Sequence, residues 1–333
     1  MKVRPDAAAA LMAGGDVMLI EPAKREYRTW VVDSRRWQHY RPRHNDIVIS
    51  TYPKCGTTWM QQIVSMLVFQ SPEPRPIMKL SPWIERRMVP IETVLAQMEE
   101  QTHRRFLKTH LPLDGLPFYD EVKYIHVARD GRDACMSLHN QVMGFTDQIL
   151  VAYDAAGLED ETIGRPYPIP LADPTQHFHR WITEGAVPGH EDGTPAMSFF
   201  HFAHAWWQAR HYPNVLLVHY NDLKSDLPAE MQRISDFLGI PVTPDLWPQL
   251  IQAAGFEAMR RDGDVLLGDM AKIFKGGSRG FFFRGSNERW RGKASDEDLA
   301  LYDAKLDTML SPDCARWITQ GRMRTRSPEE KIN

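Results

Sequence analysis

The chain has 333 residues, 43% hydrophobic and 25% charged, with 40 Lys+Arg against 43 Asp+Glu for a formal net charge of −3. This length buries a sizeable core without disulfide or metal staples, and the composition excludes the disordered, collagenous and coiled-coil classes. A near-neutral total gives no general attraction for a nucleic-acid backbone, so an anion site has to be local. Cys55, Cys135 and Cys314 are odd in number and widely spaced, with no CxxC. They fit neither a secreted disulfide framework nor a zinc site and point to a reducing cytoplasm.

In chain order, the first apolar stretch, 7–20, is broken by Gly14, Gly15 and Asp16 and reads poorly as a signal peptide. No segment approaches the roughly 18 uninterrupted apolar residues of a membrane span. Ile47-Val48-Ile49 is a short buried strand, Tyr52 to Gly56 a loop, and Thr57 opens a helix with Trp59, Met60, Ile63, Val64 and Leu67 on one face. A second strand is expected over 122–128. From 144 to 195 the pattern fades into Gly, Pro and acidic residues, which reads as loops and short helices covering a site. A third strand follows over 215–220. A helix is expected over 228–238, stopped by Gly239-Ile240-Pro241, and a last one begins at the N-cap Ser295, carrying Leu299, Tyr302, Leu306 and Met309. With no internal repeat, the chain reads as one domain over 27–312, with an N-terminal extension, 1–26, and a C-terminal tail, 313–333. The fold class is α/β: a central, mostly parallel sheet flanked by helices, which binds ligands at the carboxyl ends of its strands.

The strand-loop-helix unit holds the first candidate site, Thr51-Tyr52-Pro53-Lys54-Cys55-Gly56-Thr57-Thr58-Trp59. Free amides and the dipole at a helix N-terminus favour a phosphate, Gly56 permits close approach, Thr57 and Thr58 add hydroxyls, and Lys54 adds charge. The Lys position differs from that of the nucleoside-triphosphatase P-loop. The same residues would also make a plain strand-to-helix turn with a solvated Lys. Similarly, Arg129, Asp130, Arg132 and Asp133 form either part of an anion site or a surface ion-pair ladder.

TYPKCGTTW resembles the TYPKSGTTW loop of sulfotransferases that use 3′-phosphoadenosine 5′-phosphosulfate (PAPS), and three further segments agree in order. Residues 104–112 (RRFLKTHLP) resemble the family's KTHLP strand end. Residues 124–140 (YIHVARDGRDACMSLHN) resemble its 3′-phosphate segment, and 283–290 (FRGSNERW) partly match its RKGxxGxW loop. Trp206-Trp207 and Tyr220-Asn221-Asp222-Leu223 resemble its WW and YEDL elements. The resemblance implies sulfuryl transfer from PAPS to a hydroxyl, leaving adenosine 3′,5′-bisphosphate (PAP), with no metal. It implies His110 as general base, Lys54 at the bridging oxygen and Lys108 as a second cation near the transferred group. Cys55, Gly56, Thr57 and Thr58 would belong to the phosphate loop, Arg129, Ser137, Arg284 and Gly285 to the 3′-phosphate pocket, and Trp59 and Tyr220 to the adenine; Ala254-Gly255-Phe256 replaces a segment that in the family carries hydroxyls near the adenine, which leaves Phe256 as the stacking candidate there.

Three departures carry expectations of their own. Phe283 stands where the family has a phosphate-binding Arg and Glu288 where it has Gly, which implies fewer phosphate contacts or another loop conformation. Cys55 stands for Ser, and beside Lys54 and a helix N-terminus its thiol is expected to ionise easily, so that its modification would inhibit. The family's dimer motif KxxxTVxxxE is absent at 291–300, so that dimer is not assumed. Residues 67–120 particularly resemble bacterial glycolipid sulfotransferases, implying a lipid or other hydrophobic alcohol as acceptor, ahead of a phenol, with room for transient contact at a membrane surface. Pro82, Trp83, Ile84, Met88, Phe145 and Phe199 to Phe202 line either an acceptor pocket or the core. A kinase-like phosphotransferase and a non-catalytic nucleotide-binding protein are the other classes considered.

Overall fold

The computed structural model describes residues 17–325. Six strands are present: β1 (Leu19–Glu21), β2 (Ile47–Thr51), β3 (Phe106–Thr109), β4 (Phe118–Tyr119), β5 (Lys123–Ala128) and β6 (Val215–His219). The central sheet has the order β3-β2-β5-β6 and is parallel throughout, with Ser50 beside Thr109, Thr51 beside Val127 and Ala128 beside His219. All four strands therefore end at the same edge. The short antiparallel pair β1–β4 sits apart from it.

Eight of the helices organise the two layers around this sheet: α1 (Thr57–Phe69), α2 (Gly131–Met143), α3 (Asp147–Leu158), α4 (Pro174–Thr183), α5 (Phe199–Gln208), α6 (Leu227–Leu238), α7 (Asp296–Met309) and α8 (Pro312–Gln320). The strands are apolar on both faces, and successive side chains point to opposite sides. Ile47, Ile49, Phe106, Ile125, Val127 and Val218 pack with Met60, Ile63, Val64 and Leu67 of α1 and Met231 and Ile234 of α6. Val48, Leu107, Tyr124 and Ala128 face a larger, aromatic core with Phe199, Phe202 and Trp206 of α5, Tyr302 of α7 and Trp317 of α8. Each fully buried apolar side chain of this kind contributes about 1.5–3 kcal/mol. At the other end of the strands, Arg105 donates to Asp46 from Nε at 2.9 Å, and the Tyr40 hydroxyl donates to the same carboxylate at 2.8 Å.

The strands predicted from the apolar runs are present within two residues of their expected ends. Tyr220, read as the last strand residue, is instead the first residue of a short helix, Tyr220–Ser225. Ser295 caps α7 by accepting from the Asp298 amide at 3.1 Å. Two stretches depart from the reading. The 144–195 region contains the full-length helices α3 and α4, which the mixed composition hid. Residues 313–320, read as tail, lie in α8, which buries Cys314, Trp317 and Ile318 in the main core. After a short helix, Arg322–Thr325, the expected tail runs past the described residues. So does most of the N-terminal extension, although its last part docks through β1 and through Lys24 and Arg25 amides donating to the Asp114 carbonyl. Among the described residues no helix is long and apolar enough to cross a membrane.

Candidate active site

The loop between β2 and α1 has two residues in the left-handed region, Lys54 (φ 71°) and Gly56 (φ 109°). The conformation requires glycine, and the space is tight as well: at Gly56 a Cβ would sit 3.1 Å from Tyr220 Cδ2. The turn aims the free amides of α1 into a cavity of about 480 Å³ at the carboxyl edge of the sheet, within the range of roughly 300–1,000 Å³ typical of small-molecule sites. Lys54, Gly56, Thr57, Thr58, Trp59, Lys108, His110, Arg129, Ser137, Tyr220, Phe256, Arg284 and Gly285 all line it. The cavity wall contains seven Lys or Arg side chains and no Asp or Glu among the described residues. An uncompensated field of that sign selects a polyanion.

Lys54 Nζ lies 4.4 Å from the centre of the Phe281 ring. Burial, then the charges of Arg129 and Arg289, push its pKa down to about 8. Lys108 Nζ lies 4.3 Å over the Trp83 ring, and burial, then Arg86, lowers its pKa to about 7. His110 follows β3 directly. Its Nδ1–H donates to the Thr51 carbonyl at 2.8 Å, which leaves the Nε2 lone pair free. Burial, then the charge of Lys108, holds the imidazole pKa well below its ordinary value, so the ring is neutral at physiological pH.

A residue that the sequence reading did not single out organises this corner. Glu85 is buried and accepts four hydrogen bonds: from the His110 amide at 2.8 Å, the Thr109 hydroxyl at 2.8 Å, Trp37 Nε1 at 2.9 Å and Trp83 Nε1 at 2.5 Å. One carboxylate thus sets the backbone at His110 and the indole that supports Lys108. The Trp83 and His110 rings meet edge-on with centres 4.9 Å apart.

At the other end, Arg129 leaves β5 and resolves the ladder alternative. Arg132 pairs with Asp130, Nη2 to Oδ2 at 2.6 Å. Arg129 instead donates to the Ser137 hydroxyl at 3.0 Å, the Lys54 carbonyl at 3.2 Å, the Ser286 carbonyl at 3.1 Å and Asn287 Oδ1 at 2.9 Å. Its guanidinium stacks on Tyr220 at 4.3 Å, and its Nε is buried without a partner. The 283–290 loop folds over this group. Gly285 (φ 61°) presses on Phe256, where a Cβ would come within 2.8 Å. Trp59 Nε1 donates to the Ala254 carbonyl at 2.9 Å, and its ring meets Tyr220 edge-on at 5.3 Å.

The departures in this loop turn out differently from expectation. Glu288 holds a left-handed backbone (φ 60°), the conformation a glycine adopts most easily, so the loop turns without one. Phe283 is 42% exposed, but Arg289, which the sequence reading left unassigned, lines the cavity with Arg129 and Arg284. Arg284 and Arg289 flank Phe283, each with Cζ 5.0 Å from its ring centre. Cys55 also corrects its expectation. It is fully buried, off the cavity wall, and burial pushes its thiol up to about 12 despite Lys54 and Arg129. A thiol reagent applied to the folded protein is therefore expected to leave activity and Cys55 untouched. Mass mapping checks this, and rapid labelling at Cys55 would contradict the burial. Of the residues considered for an acceptor pocket, Trp83 and Phe145 line the cavity, whereas Phe199, Phe200 and Phe202 are core.

A polyanion cradle at a helix N-terminus, facing a neutral imidazole, agrees with what the chain is similar to. The sulfotransferase domain family matches residues 44–308. The chain belongs to the sulfotransferase family. A curated relative, a glycolipid sulfotransferase of Mycobacterium bovis (strain BCG / Pasteur), is 36% identical over 313 residues, covering 89% of this chain and 94% of the relative. Among solved structures, mouse sulfotransferase SULT7A1 complexed with PAP superposes with a TM-score of 0.63 at 17% identity, covering 86% of this chain and 92% of that one. Retinol dehydratase in complex with androsterone and inactive cofactor PAP gives 0.61 at 20% identity, covering 90% and 89%. At these identities the two structures establish the shared α/β fold. As a family member the protein is a PAPS-dependent sulfotransferase, and neither kinase-like transfer nor silent nucleotide binding is favoured. The residues fit the donor: the cradle lacks carboxylates, and Arg129 Nε waits without a partner. Among the described residues no cluster of His, Cys, Asp and Glu could hold a metal ion.

Proposed function

We propose that this sulfotransferase moves the sulfuryl group of PAPS to a hydroxyl on a hydrophobic acceptor, with His110 as base and Lys54 as the cation at the leaving oxygen. The free Nε2 of His110, held by the Thr51 carbonyl behind it, carries this reading. It takes the proton of the acceptor hydroxyl as that oxygen bonds to sulfur and the bond from sulfur to the bridging oxygen breaks. The electron pair of the broken bond stays on the phosphate, where Lys54 and the first amides of α1 stabilise it. Lys108, with its pKa lowered to about 7, takes up a proton beside the sulfate and then neutralises the transferring sulfuryl oxygens. Arg129, Ser137, Arg284 and Arg289 hold the 3′-phosphate, with Gly285 closing the loop, and Trp59, Tyr220 and Phe256 enclose the adenine. The acceptor enters past Trp83 and Phe145. A glycolipid alcohol is the first candidate, in line with what the mycobacterial relative is named for. Transient contact at a membrane surface and a cytoplasmic location go with this reading.

Incubation with labelled PAPS and a panel of lipid, steroid and phenolic alcohols, read by mass spectrometry, tests it. A sulfate ester together with PAP is the expected product, and a panel giving neither would overturn the assignment. The lowered pKa of Lys54 adds a second expectation. PAP binds the protonated amine, so affinity falls as pH rises from about 7 to about 9, and binding near pH 8 takes up protons. Phosphate itself is fully ionised above about pH 7 and does not mask the trend. Calorimetry in two buffers of different ionisation enthalpy measures the uptake. A proton count of zero would remove Lys54 from the phosphate site.

A further inference from the structure

At the Trp83 end of the cavity the wall is mostly apolar, with Val31, Phe145, Tyr153 and Phe274 among its residues, yet it contains a charge that the reaction does not use. Arg86 lines this end with its Cζ 5.9 Å from the centre of the same indole ring that supports Lys108. Its positive charge reaches both Lys108 and the Tyr153 hydroxyl. Its Nε is buried and lacks a hydrogen-bond partner, and no carboxylate pairs with it among the described residues.

The nearby carboxylates are already committed. Arg28 and Arg87 both pair with Asp160 at 2.7 Å, and Glu85 already accepts from two indoles, a threonine hydroxyl and the His110 amide, with no bond from Arg86. A partly buried guanidinium with no counter-charge is costly unless a ligand supplies one, and its planar fork of donors matches an oxyanion. We infer that the acceptor carries an oxyanion, a carboxylate or a phosphate monoester, a few bonds from the hydroxyl that is sulfated, and that Arg86 binds it. The acceptor is then an anionic amphiphile: its apolar body lies against Phe145 and Phe274, and its charged group against Arg86. This inference rests on the sulfotransferase reading for the position of the reacting hydroxyl, but not for the binding of the anion.

Titration of the PAP-saturated protein with a long-chain fatty acid, its methyl ester and a long-chain alkyl phosphate tests the anion directly. The carboxylate or the phosphate, whichever the site takes, is expected to bind about tenfold or more tighter than the ester. Arg86→Gln brings the two to parity with PAP affinity unchanged, and Arg86→Lys keeps part of the preference. The inference is overturned if the ester binds as well as both anions, if Arg86→Gln keeps the preference, or if Arg86→Gln weakens PAP, which would give the guanidinium to the nucleotide. Turnover with labelled PAPS and a fatty acid hydroxylated near its carboxyl group, against its methyl ester, separates the two readings. Equal sulfation of both leaves the sulfotransferase reading intact and overturns this one. No sulfation of either, with anion binding still dependent on Arg86, supports the anion site and counts against the hydrophobic-alcohol acceptor.

Discussion

Replacing His110 by alanine is expected to lower kcat by about 10²–10⁴-fold while PAP binds as before. The size follows from what is lost: a base whose tautomer is already set, Nδ1–H on the Thr51 carbonyl and Nε2 open to the cavity. Because burial and Lys108 hold its pKa well below the ordinary imidazole value, the base form is present throughout the neutral range. The acid limb of kcat attributable to His110 therefore falls at lower pH than a free imidazole would give. His110→Asn is a sharper probe, since its side-chain amide can still donate to a carbonyl but cannot accept the proton. It should be as slow as alanine. Either variant retaining turnover within tenfold of wild type, with sulfate ester still formed, would mean another group removes the proton.

Lys54→Met is expected to act in opposite directions on rate and stability. Loss of a cation at the leaving oxygen removes stabilisation that exists mainly in the transition state, a cost of about 10²–10³-fold in kcat by analogy with an oxyanion donor. The folded protein without nucleotide should gain stability. The pKa of Lys54 lies near 8 in the fold against 10.5 for a free side chain, so below about pH 8 the native state holds a proton that its surroundings disfavour. Exchanging the ammonium for an apolar group of similar length relieves about 1–3 kcal/mol at neutral pH. The gain disappears above about pH 10.5, where the unfolded chain has lost the proton too. Thermal unfolding at pH 7 without nucleotide, beside steady-state rates, reads both effects. A variant that is slow and also less stable would show that Lys54 is structural.

How far the sequence carried this site varies with the physical origin of each part. The phosphate loop was legible because its requirements are local: a strand run, a glycine that must go left-handed and a helix whose amides open onto an anion. The sheet was legible because Ile47-Val48-Ile49 and its partner strands are apolar on both faces, as buried parallel strands are. Residues whose roles depend on tertiary packing were not legible. Glu85 reads as one acid in a charged stretch, and nothing in its neighbours says that two indoles, a threonine and a backbone amide converge on it. Arg289 was hidden because its loop was judged by the positions it fails to match, Phe283 and Glu288. The error over Cys55 has the same root: proximity to Lys54 and a helix start was visible, but the desolvation that outweighs both was not. The aromatic cluster at Phe199 to Phe202 fell to the core because α5 lies across the sheet, an arrangement no periodicity encodes.

The four bonds onto Glu85 also bear on how such an enzyme can change its preferences over evolutionary time. Trp83 lines the cavity where the proposed acceptor enters, so that variation there would retune the choice of alcohol, yet its ring nitrogen shares a carboxylate with the amide of His110. A lineage that swaps this indole for a smaller residue removes one of the three donors on Glu85 Oε1, the same oxygen that accepts from the His110 amide, and slackens the strand end beneath the imidazole. Diversification should therefore concentrate on the Phe145 and Phe274 side of the opening, leaving the tryptophan and the acid to be inherited together.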